Sequence, residues 1–273
     1  MSTAKVNGVE LYYEITGEGF PLILNHEFAG TYRSWEPQVR FFSRRYQVIT
    51  YNYRGFPPSE VPEEENAYSQ EILVEDLYQL LRHLGIKQAF VGGLSMGGNI
   101  VLSFGIAHPE MTRALIVAAA GSGTTDGENF SAKMESVARQ IEKEGWPTVA
   151  KSYASTPNRI RLLYKAPRGW REFCEELAAH SVKGSVLVIR NVILKRPPIS
   201  ILESELQQLQ IPTLVMTGDE DEWCLDPALI MKRNIPDAGL LVFPRCGHAI
   251  NQEEPAAFNR AVLDFLTAVE AGK

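Results

Sequence analysis

Residues 89–98 read AFVGGLSMGG, a short β-rich run that passes directly into one serine set among four glycines, Gly92, Gly93, Gly97 and Gly98. The apolar run before the serine suits a strand, and Ile100, Phe104 and Ala107 follow it at helical spacing, so the stretch is a strand-to-helix junction. A turn this tight needs small neighbours, because a Cβ beside it would meet the adjoining strand or helix. It leaves the Ser95 hydroxyl at the carboxyl edge of a sheet, before the free N–H groups and positive dipole end of the next helix. A chain built on such a junction is committed to strands and helices in alternation.

The rest of the sequence keeps that alternation over two stretches. Val9 to Ile15 alternates like a half-buried strand, and Pro21 to Asn25 and Gln47 to Tyr51 are compact apolar runs suited to central strands, with a helix from Trp35 to Phe42 between them. Ser69 opens a helix whose Ile72, Leu73, Leu77, Leu80, Leu81 and Leu84 form one apolar face, and Gly85 closes it. Ala114 to Ala118 is a further buried strand. Between about Gly123 and Glu205 the strand signals fade and helical spacing takes over, as in Phe130, Met134, Val137, Ala138 and Ile141; Ser185 to Leu194 reads equally as helix or strand. Strands then return at Thr213 to Thr217 and Leu240 to Phe243, and an amphipathic helix over Ala256 to Val269 closes the chain. The expected organisation is an α/β core of residues 1–122 and 206–273, with a helical insertion at 123–205.

Composition removes several classes of function. The net charge is −6, and no basic run with interleaved aromatics is present, which argues against nucleic acid as a partner. No apolar run is long enough to span a bilayer, and the first residues lack a signal-peptide core, so a cytoplasmic protein with no membrane partner is expected. Cys174, Cys224 and Cys246 have neither disulfide-framework nor metal-ligand spacing, and no metal or cofactor is expected. The insertion holds 13 Lys and Arg against 10 Asp and Glu, leaving 14 against 23 elsewhere. That small positive balance is a hint of an anionic substrate, on a surface where such margins are ordinary. Self-association into a homo-oligomer is left open.

A serine hydroxyl becomes a nucleophile only beside a base that takes its proton, and the base needs a third group to orient it. Gly247 and His248 follow the last strand across a short loop, where an imidazole reaches the same sheet edge as Ser95. Gly218-Asp219-Glu220-Asp221 follows the preceding strand and offers carboxylates there. His26, His83, His108 and His180 are read as structural.

With these residues in place, the chain resembles the α/β-hydrolase family over nearly its whole length. The order serine, acid, histidine matches, as do Asn25-His26-Glu27-Phe28-Ala29-Gly30 after the third strand, Tyr53-Arg54-Gly55-Phe56-Pro57-Pro58-Ser59 after the fourth, and a helical cap after the sixth. The resemblance implies a mostly parallel central sheet flanked by helices, with Ser95 as nucleophile, His248 as base and Asp221 as the acid, Asp219 being the alternative. It also implies an oxyanion hole from the N–H groups of Met96 and Phe28. The implied activity is cofactor-independent hydrolysis of a small carboxylic ester or lactone through an acyl-enzyme, as in the enol-lactonase branch. Three rivals stand beside it. One is carbon–carbon bond hydrolysis of vinylogous diketones, whose enzymes commonly carry Trp after the histidine, where this chain has Ala249. The others are perhydrolase or haloperoxidase-like turnover on the same triad, and a binding module that kept the fold without the chemistry.

One position departs from the family. Glu27 stands where a glycine is usual, and a carboxylate about 4 Å from an oxyanion would cost on the order of 4 kcal/mol at an effective dielectric near 20. Glu27 is therefore expected to point outward or to be salt-bridged; the competing reading makes it a second acid/base or a ligand for a cationic substrate. Trp146, Tyr153, Tyr164, Trp170 and Arg190 are the insertion residues expected to line the pocket, and Asn99, Cys224 and Cys246 are read as packing.

Overall fold

The computed structural model describes residues 2–272. Eight strands form one sheet: β1 (Ser2–Val6), β2 (Val9–Thr16), β3 (Phe20–Asn25), β4 (Tyr46–Tyr51), β5 (Ala89–Leu94), β6 (Thr112–Ala118), β7 (Thr213–Gly218) and β8 (Ala238–Phe243). Their order is β1-β2-β4-β3-β5-β6-β7-β8; β1 and β2 pair antiparallel, β2 joins β4 antiparallel, and from β4 onward every pairing is parallel. A parallel sheet must be covered on both faces, and the two-residue period of each strand divides the core accordingly. Ile23, Val91, Leu115 and Val117 pack on one side with helices α2 (Gln70–His83) and α3 (Met96–Ala107). Leu22, Leu24, Phe90 and Ile116 pack on the other with α1 (Glu36–Phe42) and α12 (Pro255–Glu270), through Phe42, Phe258, Val262 and Leu266.

Local chemistry sets the element ends. The Ser69 hydroxyl accepts the Ile72 N–H at 3.2 Å and caps α2, whose buried Leu73, Leu77, Leu80 and Leu81 lie one above another on the sheet side. The loop after β4 is held by Arg54, whose guanidinium forks onto the Asp76 carboxylate at 2.6 and 2.7 Å in the interior.

Between β6 and β7 the chain leaves the sheet for α4 (Gly127–Glu144), α5 (Trp146–Ala154), α6 (Ile160–Lys165), α7 (Pro167–Ala178), α8 (Val182–Val188) and α9 (Glu203–Gln208). The stretch that read as helix or strand is helical, α8 running into a wider turn over Ile189–Ile193. Val186 to Ile189, Val192 and Ile193 are all buried, so no polar face betrays a period. Helices α10 (Glu222–Asn234) and α11 (Ile250–Glu253) complete the chain, and no helix among the described residues is long and apolar enough to cross a membrane. The ends of β5, β7 and β8 lie on one edge of the sheet, which is where the functional side chains collect.

Candidate active site

At the end of β5 the backbone turns at Ser95 with φ 58° and ψ −114°, a region that residues with a Cβ avoid. The Ser95 N–H donates to the Ala118 carbonyl at 2.8 Å, and the Asn99 amide donates to the Ser95 carbonyl at 2.9 Å, so the turn is pinned from both sides. The glycines are spatially required: a Cβ on Gly93 would stand 2.3 Å from the Gly97 carbonyl oxygen, and one on Gly97 would stand 2.2 Å from that of Asn25.

His248 sits on the loop after β8. Its Nε2 lies 2.7 Å from Ser95 Oγ, and its Nδ1 lies 2.6 Å from Asp221 Oδ2. An ionised carboxylate can only accept, so Nδ1–H donates to Asp221 and leaves Nε2 free to accept the serine O–H. Asp219 goes elsewhere: its Oδ1 accepts the Cys246 N–H at 3.1 Å and braces the histidine loop. A second brace has no sequence signal. Buried Glu253 accepts the Gly247 N–H at 2.8 Å and the Ala249 N–H at 3.2 Å, flanking His248, and its carboxyl is pushed up by burial against these bonds.

The backbone N–H groups of Met96, at the start of α3, and of Phe28, in the loop after β3, have no acceptor among the described residues, and both residues line the cavity over Ser95. His26 positions that loop. Its Nδ1–H donates to the Glu27 carbonyl at 2.6 Å, its Nε2 accepts the Tyr53 N–H at 3.4 Å, and burial holds its pKa down to about 4, so the ring is neutral.

Glu27 does not point outward. It is buried and pairs with Arg159 of the insertion, a residue that sequence reasoning passed over. Burial pushes the Glu27 carboxyl up, yet the charge and hydrogen bond of Arg159, helped by His248 and His26, bring it below the ordinary carboxylate range. The repulsion that a lone carboxylate would exert on an oxyanion is thus answered by neutralisation. Arg159 also packs its guanidinium on the rings of Tyr153 and Phe173, 5.0 and 5.7 Å from their centres. The neighbouring Asn158 carbonyl accepts the His248 N–H at 2.6 Å.

Of the insertion residues expected in the pocket, Tyr153 lines it and the others do not. Trp146 is fully buried inside the insertion, donating to the Ser185 hydroxyl at 2.8 Å. Trp170 donates to the Ala154 carbonyl, Tyr164 is 67% exposed, and Arg190 pairs with Glu135 and Glu142 on α4. Aromaticity and charge alone do not say which way a helix turns. The cavity instead takes Phe130, Lys133, Arg159, Arg196 and Trp223, around a partly open space of about 70 Å³ above Ser95, Met96 and His248. Asp221, Cys224 and His248 lie close enough together to hold a metal ion; His248 Nδ1 is bonded to Asp221 Oδ2, and the Cys224 thiol donates to the Ala119 carbonyl at 3.1 Å.

An alignment of nucleophile, imidazole and carboxylate with two free N–H donors beside the serine is the equipment of acyl transfer. Known proteins resemble the chain over most of its length. The chain is 30% identical to the 2-hydroxymuconate semialdehyde hydrolase of Pseudomonas putida, over 93% of this chain and 90% of that one. It is 26% identical to 3-oxoadipate enol-lactonase 2 of Acinetobacter baylyi, over 95% and 94% of the two chains. The solved enol-lactonase of Burkholderia xenovorans shares the fold with a TM-score of 0.85 at 24% identity, over 97% of this chain and all of the other. Residues 21–255 match the family model of the alpha/beta hydrolase fold, and with the sheet order and the serine turn this makes the chain a member of the α/β hydrolase fold family.

Proposed function

We propose that this protein is a cofactor-independent serine hydrolase of small carboxylic esters or lactones. The observation that carries the reading is the continuous path Asp221–His248–Ser95, with bonds of 2.6 and 2.7 Å, ending on a hydroxyl held at a strained turn. Ser95 Oγ attacks the acyl carbon while its proton passes to His248 Nε2, and Asp221 stabilises the imidazolium that results. The N–H groups of Met96 and Phe28 receive the oxyanion. Collapse of the tetrahedral intermediate returns the proton from Nε2 to the departing alkoxide, which leaves as the alcohol, or stays attached where the substrate is a lactone. Water then adds to the acyl carbon as His248 takes its proton, and breaking of the acyl–Oγ bond, with the proton returned to Oγ, frees the acid.

A fluorophosphonate probe and a panel of short acyl esters and lactones test the reading. The wild type should label and turn over 4-nitrophenyl acetate, and Ser95→Ala should lose both while keeping its melting temperature. Labelling or turnover persisting in Ser95→Ala would remove Ser95 from the chemistry. Carbon–carbon bond hydrolysis on the same triad is the second reading, favoured by the 30% identical 2-hydroxymuconate semialdehyde hydrolase. A vinylogous diketone turned over faster than every ester and lactone in the panel would select it.

A further inference from the structure

Two arginines are buried, and both have carboxylate partners. Arg54 forks onto Asp76, and Arg159 pairs with Glu27. Arg196, just past the wide helical turn at the end of α8, has none. No carboxylate among the described residues lies within ion-pair distance of it, and of its five N–H groups one is used, Nη2 donating to the Ser122 carbonyl at 2.8 Å. A half-buried guanidinium without a counter-charge is costly, and burial lowers its pKa to about 10.

The surroundings show what would offset that cost. Arg196 lines the cavity above Ser95 and His248, and Lys133, also without a carboxylate partner, lines it from α4. Each faces an aromatic ring on the same wall: Arg196 lies 5.9 Å from the centre of Phe130, and Lys133 Nζ 5.6 Å from that of Trp223, the two rings being 5.5 Å apart. No Asp or Glu lines this cavity. On its outer side Arg196 also borders a depression containing Lys195, Glu65 and Glu71, and neither glutamate pairs with it.

We propose that Arg196, assisted by Lys133, is the specificity-determining anion site of this cavity, and that the ester or lactone it takes carries a free carboxylate. This rests on the serine-hydrolase reading above for the reaction, and on the cavity's charge for the substrate. The planar guanidinium keeps its Nη1 and Nε groups for a carboxylate, while Lys133, exposed on α4, draws the anion in.

Matched ester pairs decide it. In one pair the carboxylate is on the acyl side, 4-nitrophenyl hydrogen glutarate against 4-nitrophenyl pentanoate; in the other it is on the alcohol side, 4-acetoxybenzoate against its methyl ester. Arg196→Gln should lower the anionic-to-neutral ratio of kcat/KM in at least one pair by about 10- to 100-fold, the range of a charge-assisted hydrogen bond, mainly through KM. Arg196→Lys should restore part of it. Lys133→Gln, a surface change that leaves the fold intact, should lower the same ratio about threefold, less at high salt. Ratios within twofold of wild type in both pairs for Arg196→Gln and Lys133→Gln would overturn the proposal. A separate titration keeps the two readings apart. Ser95→Ala protein should bind glutarate more tightly than glutaramide, with the preference lost on adding Lys133→Gln or Arg196→Gln. No such preference overturns the anion site even where esters are hydrolysed, and a clear preference in a protein that hydrolyses no ester sustains the anion site while the hydrolase reading falls.

Discussion

Replacing Glu27 by Gln removes one charge from a pair whose side chains are 0% and 6% exposed, and it does so with little change of shape. Arg159 then keeps a hydrogen-bond acceptor but becomes an uncompensated buried cation, and breaking buried pairs in this way costs about 3–5 kcal/mol. The retained amide bond puts the expected loss of stability near the lower limit, about 3 kcal/mol. Activity should suffer less. The loop that carries the Phe28 N–H is still held by the two bonds to the Glu27 carbonyl, from His26 Nδ1 at 2.6 Å and from the Gly30 N–H at 3.1 Å. A fall in kcat/KM of tenfold or less, about 1.4 kcal/mol of barrier, is expected for 4-nitrophenyl acetate. Removing both charges in Glu27→Gln/Arg159→Met should recover much of the stability, so that the cycle shows a coupling of about 2 kcal/mol. The pair also has a pH signature. The folded Glu27 carboxyl titrates below its unfolded value near 4.5, so its contribution is complete above that pH and is lost as pH falls through the folded value. Urea unfolding at pH 7 and across the acid range, with steady-state kinetics, on the four proteins checks all of this. Additive single losses would refute the coupling, and a hundredfold loss of kcat/KM in Glu27→Gln at unchanged stability would place Glu27 in the chemistry.

Three further outcomes follow from the site. Ser95→Gly should be about 1 kcal/mol more stable than Ser95→Ala, because both lose the bond to His248 and only glycine relaxes at φ 58°; equal melting temperatures would deny the strain. Asp221→Asn should lose several orders of magnitude more kcat than Asp219→Asn, since Asp221 alone reaches the His248 ring and Asp219 holds the Cys246 N–H; the reverse order would exchange their roles. His180, whose two ring nitrogens find no partner in the interior, has its pKa held down to about 3 by burial, and His26 to about 4. Both rings must stay neutral in the folded protein and charge readily in the unfolded one, so stability should fall as pH drops below about 6.5, by about 1.4 kcal/mol per pH unit per ring until each folded pKa is reached. His180→Leu should flatten that slope in acid unfolding curves, and an unchanged slope would show that His180 titrates normally.

The part of the site that the sequence disclosed is the part fixed by local geometry. The turn at Ser95 is possible only with small neighbours, and glycine spacing records that directly. Asp221 and His248 follow strand ends, so knowing where strands stop places them on one edge; choosing Asp221 over Asp219 took the family pattern, since both carboxylates lie near the same loop. The partner of Glu27 was not legible, because Arg159 lies 132 residues away and reaches it only through the way the insertion folds back. Trp146 and Arg190 failed as pocket residues for a related reason: the same aromatic or cationic side chain serves a helix interface as well as a ligand, and α5 and the wide turn after α8 spend theirs on Ser185, Glu135 and Glu142. The edge strand β1 escaped notice because STAKV buries only Ala4 and Val6.

The insertion does more than roof the cavity. Two consecutive residues, Asn158 and Arg159, touch both halves of the machinery: the Asn158 carbonyl takes the His248 N–H at 2.6 Å, and the Arg159 guanidinium grips Glu27 in the loop that carries Phe28. The approach is close enough that a Cβ on Gly247 would stand 2.3 Å from the Asn158 oxygen, so the glycine before the histidine answers to the insertion as well as to its own loop. His248 and the loop that carries Phe28 are therefore registered against one short segment between α5 and α6, and under the proposed mechanism a displacement of that segment by about 1 Å would misplace both at once, an error of the size that costs on the order of a hundredfold in rate. A glycine at position 27 could make no such grip. The departure from the family's usual residue gives this chain an electrostatic tie between the insertion and the loop that carries Phe28, and the carboxylate that looked like a liability in the sequence stays ionised with its charge balanced by the group it fastens.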